Sequence, residues 1–356
     1  MLNWLLVFVP VAIGLEFLAP QQHLFIFLAA ALAVLPLAGW MSRATEHLAE
    51  KSGDGVGGLL NATFGNAAEL IIAFAALRAG LYDVVKASIA GSIVGNILLV
   101  LGAAMLAGGL RHSEQTYNAA GARSEATLLT LAAIALILPA TYNNLVGTQS
   151  ENGLWFISIA ISIVLLIVYV LFLVFSLGSH KVLFTGSIQG TEEEHHESWP
   201  VSKALLILAI STAAIAWVSE ILVGAIEPTA HEFGLNRVFV GVFIVAILGN
   251  AAEHATAISA AMKNRMDLSM SIAIGSSVQV ALFVAPVLVL ASLWIGPAPM
   301  DLLFATGLVV SILLSVLITS QVAGDGRSDW LKGVQLLAVY FILGITFFFA
   351  PSLPAP

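Results

Sequence analysis

Two segments of nearly the same sequence decide the fold of this chain: Gly65-Asn66-Ala67-Ala68-Glu69-Leu70 and Gly249-Asn250-Ala251-Ala252-Glu253-His254. They share five consecutive residues and lie 184 positions apart. Gly91-Ser92 recurs as Gly275-Ser276 at the same separation, so the match runs without a gap through two predicted helices. A register kept over such a length indicates that the chain contains two copies of one structural unit.

The composition places both copies in a lipid bilayer. Of the 356 residues, 59% are apolar and only 10% are charged, and the mean hydropathy is +0.99. A soluble domain carries about 25% charged residues. The net charge of −8 argues against nucleic acid as a partner. The absence of cysteine excludes disulfides and thiolate-bound metals.

Long apolar stretches predict an all-α integral membrane protein with eleven transmembrane helices. The predicted helices lie at residues 4–19, 23–48, 57–79, 83–109, 124–141, 152–178, 201–224, 237–263, 267–295, 299–320 and 330–350. The first helix (residues 1–20) stands outside the repeat. Residues 21–180 form the first five-helix copy, residues 181–200 an acidic cytoplasmic linker, and residues 201–356 the second five-helix copy.

The number of helices between the copies predicts their relative direction. Five helices separate corresponding segments, and an odd number means that the two copies cross the membrane in opposite directions. Such an inverted-topology repeat is typical of secondary transporters. Ten of the 13 lysines and arginines fall in loops on the side of the N-terminus. The positive-inside rule therefore predicts a cytoplasmic N-terminus and a C-terminus on the opposite side. The sequence does not identify the membrane, although a plasma or inner membrane is favoured.

Glu69 and Glu253 lie near the middle of the predicted third and eighth helices. An ionisable residue at that depth is costly unless it is paired or hydrated, so a symmetric pair indicates a functional site. The structural alternative is a pair of protonated glutamates that hydrogen-bond to neighbouring helices. Ca²⁺ prefers carboxylate, amide and hydroxyl oxygens, and two carboxylates are neutralised either by one Ca²⁺ or by two protons. This competition suffices for antiport.

Other polar and small residues accompany each glutamate. Asn66 and Asn250 stand three residues before the glutamates and share a helix face with them. Gly65 and Gly249 would permit close helix approach or a helix break that frees backbone carbonyls. The following helices supply further candidate ligands, for which interhelical hydrogen bonding is an equal alternative. These candidates are Ser92, Asn96, Ser276 and Gln279.

Three further residues are candidates for proton transfer or for support of the ligands. His254 corresponds to Leu70 in the first copy, and because nitrogen is a poor Ca²⁺ ligand, it is predicted to orient Glu253 or to pass protons. A satisfied core histidine is the alternative. Glu46 and Glu220 are paired by the repeat and are candidates for the points where protons enter. Their alternative is simple exposure to water at the interface.

The loop between the copies carries a run of acidic residues and histidines. It could bind Ca²⁺ loosely or sense pH, although a solvated charge run is the more usual explanation. Its members are Glu192, Glu193, Glu194, His195, His196 and Glu197.

The two segments GNAAEL and GNAAEH, each followed by a Gly-Ser helix, resemble the paired repeats of cation/proton exchangers, the CAX branch of the calcium/cation antiporter superfamily. The resemblance covers nearly the whole chain. It implies Ca²⁺/H⁺ exchange by alternating access, with Glu69 and Glu253 as chief ligands and Asn66 and Asn250 beside them. Ser92, Ser276, Gln279 and His254 would form the surrounding shell.

Several alternatives to this function remain at the level of sequence. Within transport, these are Mn²⁺/H⁺ exchange and Na⁺/Ca²⁺ exchange on the same fold, although Asn-Ala-Ala before each glutamate favours protons over Na⁺. Outside transport by exchange, they are a passive channel and a membrane metalloenzyme. The absence of nucleophile and zinc motifs argues against an enzyme. No cofactor is predicted beyond the transported Ca²⁺ and H⁺, and the sequence is compatible with a homo-oligomer.

Overall fold

The computed structural model describes residues 3–146, 151–180 and 199–350, and most of them are helical. A short 3-10 turn, Asn3–Val7, leads into the first helix. The helices are α1 (Phe8–Leu18), α2 (His23–Ser52), α3 (Asp54–Phe64), α4 (Ala67–Arg78), α5 (Tyr82–Gly109), α6 (Ala119–Val146), α7 (Gly153–Ser179), α8 (Val201–Glu232), α9 (Arg237–Met262), α10 (Met266–Ala291), α11 (Thr306–Ala323) and α12 (Trp330–Phe349).

Within these described ranges, nine helices are long and apolar enough to cross a membrane: α2 and α5 to α12. This confirms the predicted class, an all-α multi-pass membrane protein. The exact count of eleven is not confirmed. The N-terminal apolar helix, Asn3–Leu18, is shorter than the other nine. The direction of the copies and of the termini across the membrane stays a prediction.

The prediction of one continuous helix over residues 57–79 is wrong. The structure ends α3 at Phe64 and begins α4 at Ala67. Asn66 departs from helical geometry, with φ −98° and ψ 17°. Gly and Asn are both poor residues for a helix interior, so the local sequence permits a break at this point.

The predicted start of the tenth helix at residue 299 is also wrong, because α11 begins only at Thr306. Asp301 holds the preceding segment in a non-helical form. Its carboxylate accepts a hydrogen bond from the Leu303 backbone N–H (2.8 Å) and forms an ion pair with Lys86 of α5 (2.5 Å). Short side-chain to backbone bonds of this kind compete with helix formation.

The core is shared between the two copies. α2 of the first copy packs along α8 of the second, and α5 packs against α9. A glycine permits the second contact, because a Cβ at Gly241 would lie 2.6 Å from the Cβ of Ala87. Small residues at helix crossings allow this close approach in membrane proteins.

The sequence repeat has a counterpart in the backbone. A wide π-helical turn occurs in α5 at Gly95–Val100 and in α10 at Val280–Val284. The positions of these turns correspond at the separation that relates the two glutamates. Such turns alter the direction of side chains within a helix and are frequent at functional sites.

Two short strands join the copies at one end of the molecule. β1 (Gln115–Thr116) pairs antiparallel with β2 (Arg327–Ser328). The Tyr117 hydroxyl beside this ribbon donates a hydrogen bond to the Val322 carbonyl at the end of α11 (2.8 Å). The ribbon therefore fixes the start of α6 relative to the loop between α11 and α12.

Candidate ion-binding site

The break between α3 and α4 places Glu69 in the first turn of a helix. The partial positive charge of a helix N-terminus favours a carboxylate at this position. In the second copy α9 continues through Gly249 and Glu253 without a break. The two predicted roles of the glycines are therefore divided: Gly65 lies at a helix break and Gly249 permits a close approach. A Cβ at Gly249 would lie 2.8 Å from Cγ of Glu69.

Hydrogen bonds from both copies hold the Glu69 carboxylate. Oε1 accepts one bond from the Ser92 hydroxyl (2.5 Å) and a second from the amide of Asn250. Oε2 is buried without a partner among the described residues. One carboxylate oxygen is therefore fixed by protein donors and the other is left free to accept from outside the protein.

Glu253 has the equivalent partner in its own copy. Its Oε2 accepts a hydrogen bond from Ser276, the counterpart of Ser92. Its Oε1 lies 3.6 Å from the position that a Cβ of Gly65 would occupy. Each glutamate thus packs against the glycine of the opposite copy, which brings the two sequence motifs to one place.

Asn66 links the motif of the first copy to the helix that follows the second. Its amide donates to Oε1 of Gln279 on α10, which leaves the Asn66 Oδ1 buried without a partner in the described part of the chain. Buried polar atoms are nearly always satisfied. The free oxygens of Asn66 and Glu69 are therefore the atoms that a hard cation, which prefers oxygen ligands, would satisfy.

Asn96 and His254 form a polar contact found in one copy only. Nε2 of His254 lies 3.1 Å from Oδ1 of Asn96. Because a carbonyl oxygen only accepts, Nε2 carries the proton in this arrangement. The corresponding positions in the repeat are Leu70 and Val280, which are both apolar. The Asn96 oxygen, predicted as a ligand, is thus occupied by His254.

Exposure differs between the two halves of the site. Glu69 is 8% exposed and Asn250 is 2% exposed, whereas Glu253 is partly exposed and Gly65 is exposed. An exposed face of α9 continues from Glu253 to the end of that helix. Its residues are Thr256, Ser259 and, just beyond the helix, Lys263. This exposed face, called the open side, ends at the end of the molecule that the distribution of basic residues predicts to be cytoplasmic.

The remaining predicted residues lie outside this cluster. Glu46 is exposed and accepts a bond from Ser42 on its own helix (3.3 Å). Glu220 is exposed and forms an ion pair with Arg78 at the end of α4 (3.2 Å). Neither has a hydrogen bond to a central residue. The acidic run from Glu192 to Glu197 lies outside the described residues.

Sequence reasoning missed one buried carboxylate, Glu125 of α6, which is 5% exposed. It stands at the predicted boundary of its helix, where a glutamate is ordinarily in water. A signal was available, because Ala122, Ala126 and Leu129 are also buried and share its side of the helix. The described residues contain no group of three or more His, Cys, Asp or Glu that could bind a metal. Glu125 is therefore not a third member of a compact acidic cluster.

Two carboxylates from related segments, brought together among the helices of a multi-pass membrane protein, define the class of secondary transporters built from internal repeats. Residues 22–178 and 203–349 match the family described as sodium/calcium exchanger protein. The chain belongs to this family.

Individual relatives agree over almost the full length. A "Ca(2+)/H(+) antiporter" of Aphanothece halophytica is 46% identical over 362 residues, covering 98% of this chain and 96% of the relative. The "Ca(2+)/H(+) antiporter ChaA" of Bacillus subtilis is 43% identical, covering 88% and 89%. These relatives confirm the resemblance to cation/proton exchangers and the assignment to transporters rather than enzymes.

Solved structures agree in fold. The structure described as native YfkE superposes with a TM-score of 0.81 at 38% identity, covering 97% of this chain and 100% of that chain. A structure described as the H⁺/Ca²⁺ exchanger CAX has a TM-score of 0.69 at 18% identity, covering 96% of this chain and 90% of the other. The latter similarity concerns the fold alone.

Proposed function

We propose that this chain exchanges Ca²⁺ for H⁺ across a membrane by alternating access at the site of Glu69 and Glu253. The observation that carries the proposal is the pair of glutamates from related segments, each held by a serine and each packed on the glycine of the other copy. The relatives in Aphanothece halophytica and Bacillus subtilis are named Ca²⁺/H⁺ antiporters, which supports the same pair of ions.

Charge balance gives the mechanism of coupling. Two ionised carboxylates in a site of low dielectric constant repel each other and lack the solvation that water would give. One Ca²⁺ neutralises both, and two protons do the same. The loaded forms are therefore favoured over the empty form while the site is closed to water. Exchange follows, because the site crosses the membrane with either metal or protons.

The free oxygens suggest how roles are divided. Oε2 of Glu69, Oδ1 of Asn66 and the Glu253 carboxylate would bind Ca²⁺ directly, with water completing the coordination on the open side. Ser92, Asn250 and Ser276 already donate to the carboxylates, so they would position these ligands. Gln279 would position Asn66, and His254 with Asn96 would hold the side of the site next to Glu253.

Uptake of radioactive calcium into everted vesicles tests this proposal. Wild-type vesicles with an acidic interior are expected to accumulate Ca²⁺, and Glu69→Gln and Glu253→Gln are expected to abolish the uptake. Glu114→Gln is a matched control, because Glu114 is exposed and pairs with Arg327 (3.3 Å) away from the site. Uptake that follows a Na⁺ gradient instead would show that the coupling ion is Na⁺ rather than H⁺. Competition by excess Mn²⁺ would measure selectivity, and normal uptake by both glutamine variants would refute the site.

A further inference from the structure

The side chain of Glu125 lies almost wholly inside the helix bundle. The side chain is 5% exposed, and no donor among the described residues reaches it. Glu125 is the seventh residue of α6 and lies about 9 Å along the helix axis from Ala119, the first residue of that helix. A buried carboxyl group without donors is costly, so its retention within a transporter core calls for a function.

No positive charge compensates Glu125 from the helices that pack along α6. These are α7, α10 and α11. The described parts of α7 and α11 contain no Asp, Glu, Lys, Arg or His, although α7 contains Tyr169. The one charged residue of α10 is Asp267, which accepts a bond from the Asn118 N–H (2.6 Å). On α6 itself, Arg123 donates to the Gly324 carbonyl. One proton neutralises a lone carboxyl group, whereas a divalent ion needs more oxygen ligands than a single carboxylate supplies.

Glu125 faces a glycine beside the central site. Its Oε1 lies 3.7 Å from the position that a Cβ of Gly275 would occupy, and Ser271 Oγ lies 4.0 Å from the same point. Gly275 directly precedes Ser276, which donates to Glu253. Glu125 therefore lies against the residue that directly precedes the serine bonded to Glu253.

A partly exposed polar stripe connects this position with both the site and the end of α10. Ser271, Gly275 and Gln279 follow one another at four-residue intervals and are each partly exposed, while the adjacent Ser276 and Ser277 are buried. Gln279 is bonded to Asn66 of the central site. Exposed amide and hydroxyl groups are disfavoured in hydrocarbon, so this face lines a water-accessible cleft.

We propose that Glu125 is a proton-relay residue that carries protons between the central site and the end of the molecule predicted to be cytoplasmic. The inference rests on the proposed function. When Ca²⁺ binds, the proton leaving Glu253 is passed through water in the cleft to the Glu125 carboxylate, which becomes a carboxylic acid. That acid then releases the proton to bulk water and returns to the carboxylate. The relay adds no proton to the overall exchange.

Two assays on vesicles separate proton relay from a structural role. The first is Ca²⁺ uptake driven by a pH gradient, and the second is exchange of labelled for unlabelled Ca²⁺ at equal pH, which moves no net protons. For Glu125→Gln, which keeps the shape of the side chain, we expect pH-driven uptake to fall about tenfold or more while Ca²⁺/Ca²⁺ exchange stays within about twofold of wild type. The exposed control Glu114→Gln should leave both unchanged.

Two results on Glu125→Gln would overturn the proposal. One is pH-driven uptake at the wild-type rate, and the other is a parallel loss of both activities, which indicates a structural role. If Glu125→Gln yields no folded protein, Glu125→Asp decides, because it keeps an acid in a shifted position. A changed pH profile of uptake supports the relay and an unchanged profile refutes it. Failure of the wild type to show pH-driven uptake would instead remove the proposed function, and this inference with it.

Discussion

The amide of Asn250 donates a hydrogen bond to Oε1 of Glu69, although 181 positions of sequence separate the two residues. The same amide nitrogen lies 3.1 Å from the Ser92 hydroxyl. The spacing of three residues suggested that Asn250 lies beside Glu253. Its amide instead bonds to Glu69, the glutamate of the other copy. The two copies therefore meet at the site: Asn250 of the second copy bonds to the glutamate of the first, and Glu253 packs against Gly65 of the first.

Replacement of Asn250 by alanine is expected to weaken Ca²⁺ binding strongly. The variant leaves the Glu69 carboxylate with one donor instead of two, and a hydrogen bond to a charged group contributes about 1.5–3 kcal/mol. The apparent affinity should fall by about tenfold to 100-fold. Equilibrium binding of labelled Ca²⁺ to purified protein measures this change. Thr346→Ala is the control, because its hydroxyl bonds only within α12 (2.8 Å). Wild-type affinity in Asn250→Ala would contradict the positioning role.

Replacement of Gly249 by alanine should displace Glu69. The added methyl group would lie 2.8 Å from Cγ of Glu69, which is closer than side chains tolerate. Overpacking of this kind costs about 1–3 kcal/mol, so we expect transport to fall by about tenfold or more. Gly224→Ala on α8 is the matched control, because nothing lies within 4 Å of its added methyl group. Equal transport rates in the two variants would show that the close approach at Gly249 has no role.

His254 and Asn96 should act as a unit. We expect His254→Leu and Asn96→Val, which copy the apolar counterparts Leu70 and Val280, each to reduce apparent Ca²⁺ affinity. The Ca²⁺ affinity of the double variant should be no lower than that of the single variant with the lower affinity. The hydrogen bond of 3.1 Å predicts a coupling energy of about 1 kcal/mol in a double-mutant cycle. Strictly additive losses would mean that the two side chains act independently.

Single cysteines can map the open side, because the natural chain contains no cysteine. Thr256→Cys on the exposed face of α9 should react with an impermeant maleimide in everted vesicles and not in right-side-out vesicles. Ser277→Cys, which replaces a residue of 0% exposure, should react in neither. Mass spectrometry of the labelled protein measures both. Labelling of Thr256→Cys only in right-side-out vesicles would reverse the predicted orientation.

The loop between α11 and α12 predicts a pH-dependent contribution to stability. Desolvation raises the pKa of Asp325, but hydrogen bonds from Lys332 and the Arg327 N–H lower it further, so the net pKa lies below its usual value. A lowered pKa stabilises the fold above the unfolded-state pKa, and the effect is lost as pH falls through the folded-state value. Asp325 is 52% exposed, so we expect Asp325→Asn to cost no more than about 1 kcal/mol at neutral pH.

Thermal unfolding of the detergent-solubilised protein measures this difference. The Tm of Asp325→Asn should lie below that of the wild type at pH 7, and the gap should close at a pH below about 4. Asp329→Asn is not equivalent, because Asp329 caps α12 through the N–H groups of Leu331 and Lys332. A gap that widens in acid would contradict the sign of the shift.

Much of this site could be predicted from the sequence, because its signal is a repeat. Glu69 and Ser92 lie on successive helices joined by a turn. Glu253 and Ser276 lie on the corresponding helices of the second copy, at the same separation in sequence. The sequence allowed a helix break at the Gly-Asn pair but could not assign it to one copy. Gly249-Asn250 has the same two residues as Gly65-Asn66 and stays helical. Neighbouring packing, which differs between the copies, decides which of them breaks.

The sequence by itself determined the membrane class, the repeat and the two glutamates, because hydropathy, periodicity and a rare intramembrane charge are local properties of the chain. Only the tertiary structure decided that Asn250 serves Glu69, that His254 reaches Asn96, and that Glu125 is buried beside Gly275. The physical reason is that these contacts join helices far apart in the chain. Their partners depend on which faces of the helices meet, and side chains that are alike in sequence become a ligand, a support or a relay through that packing alone.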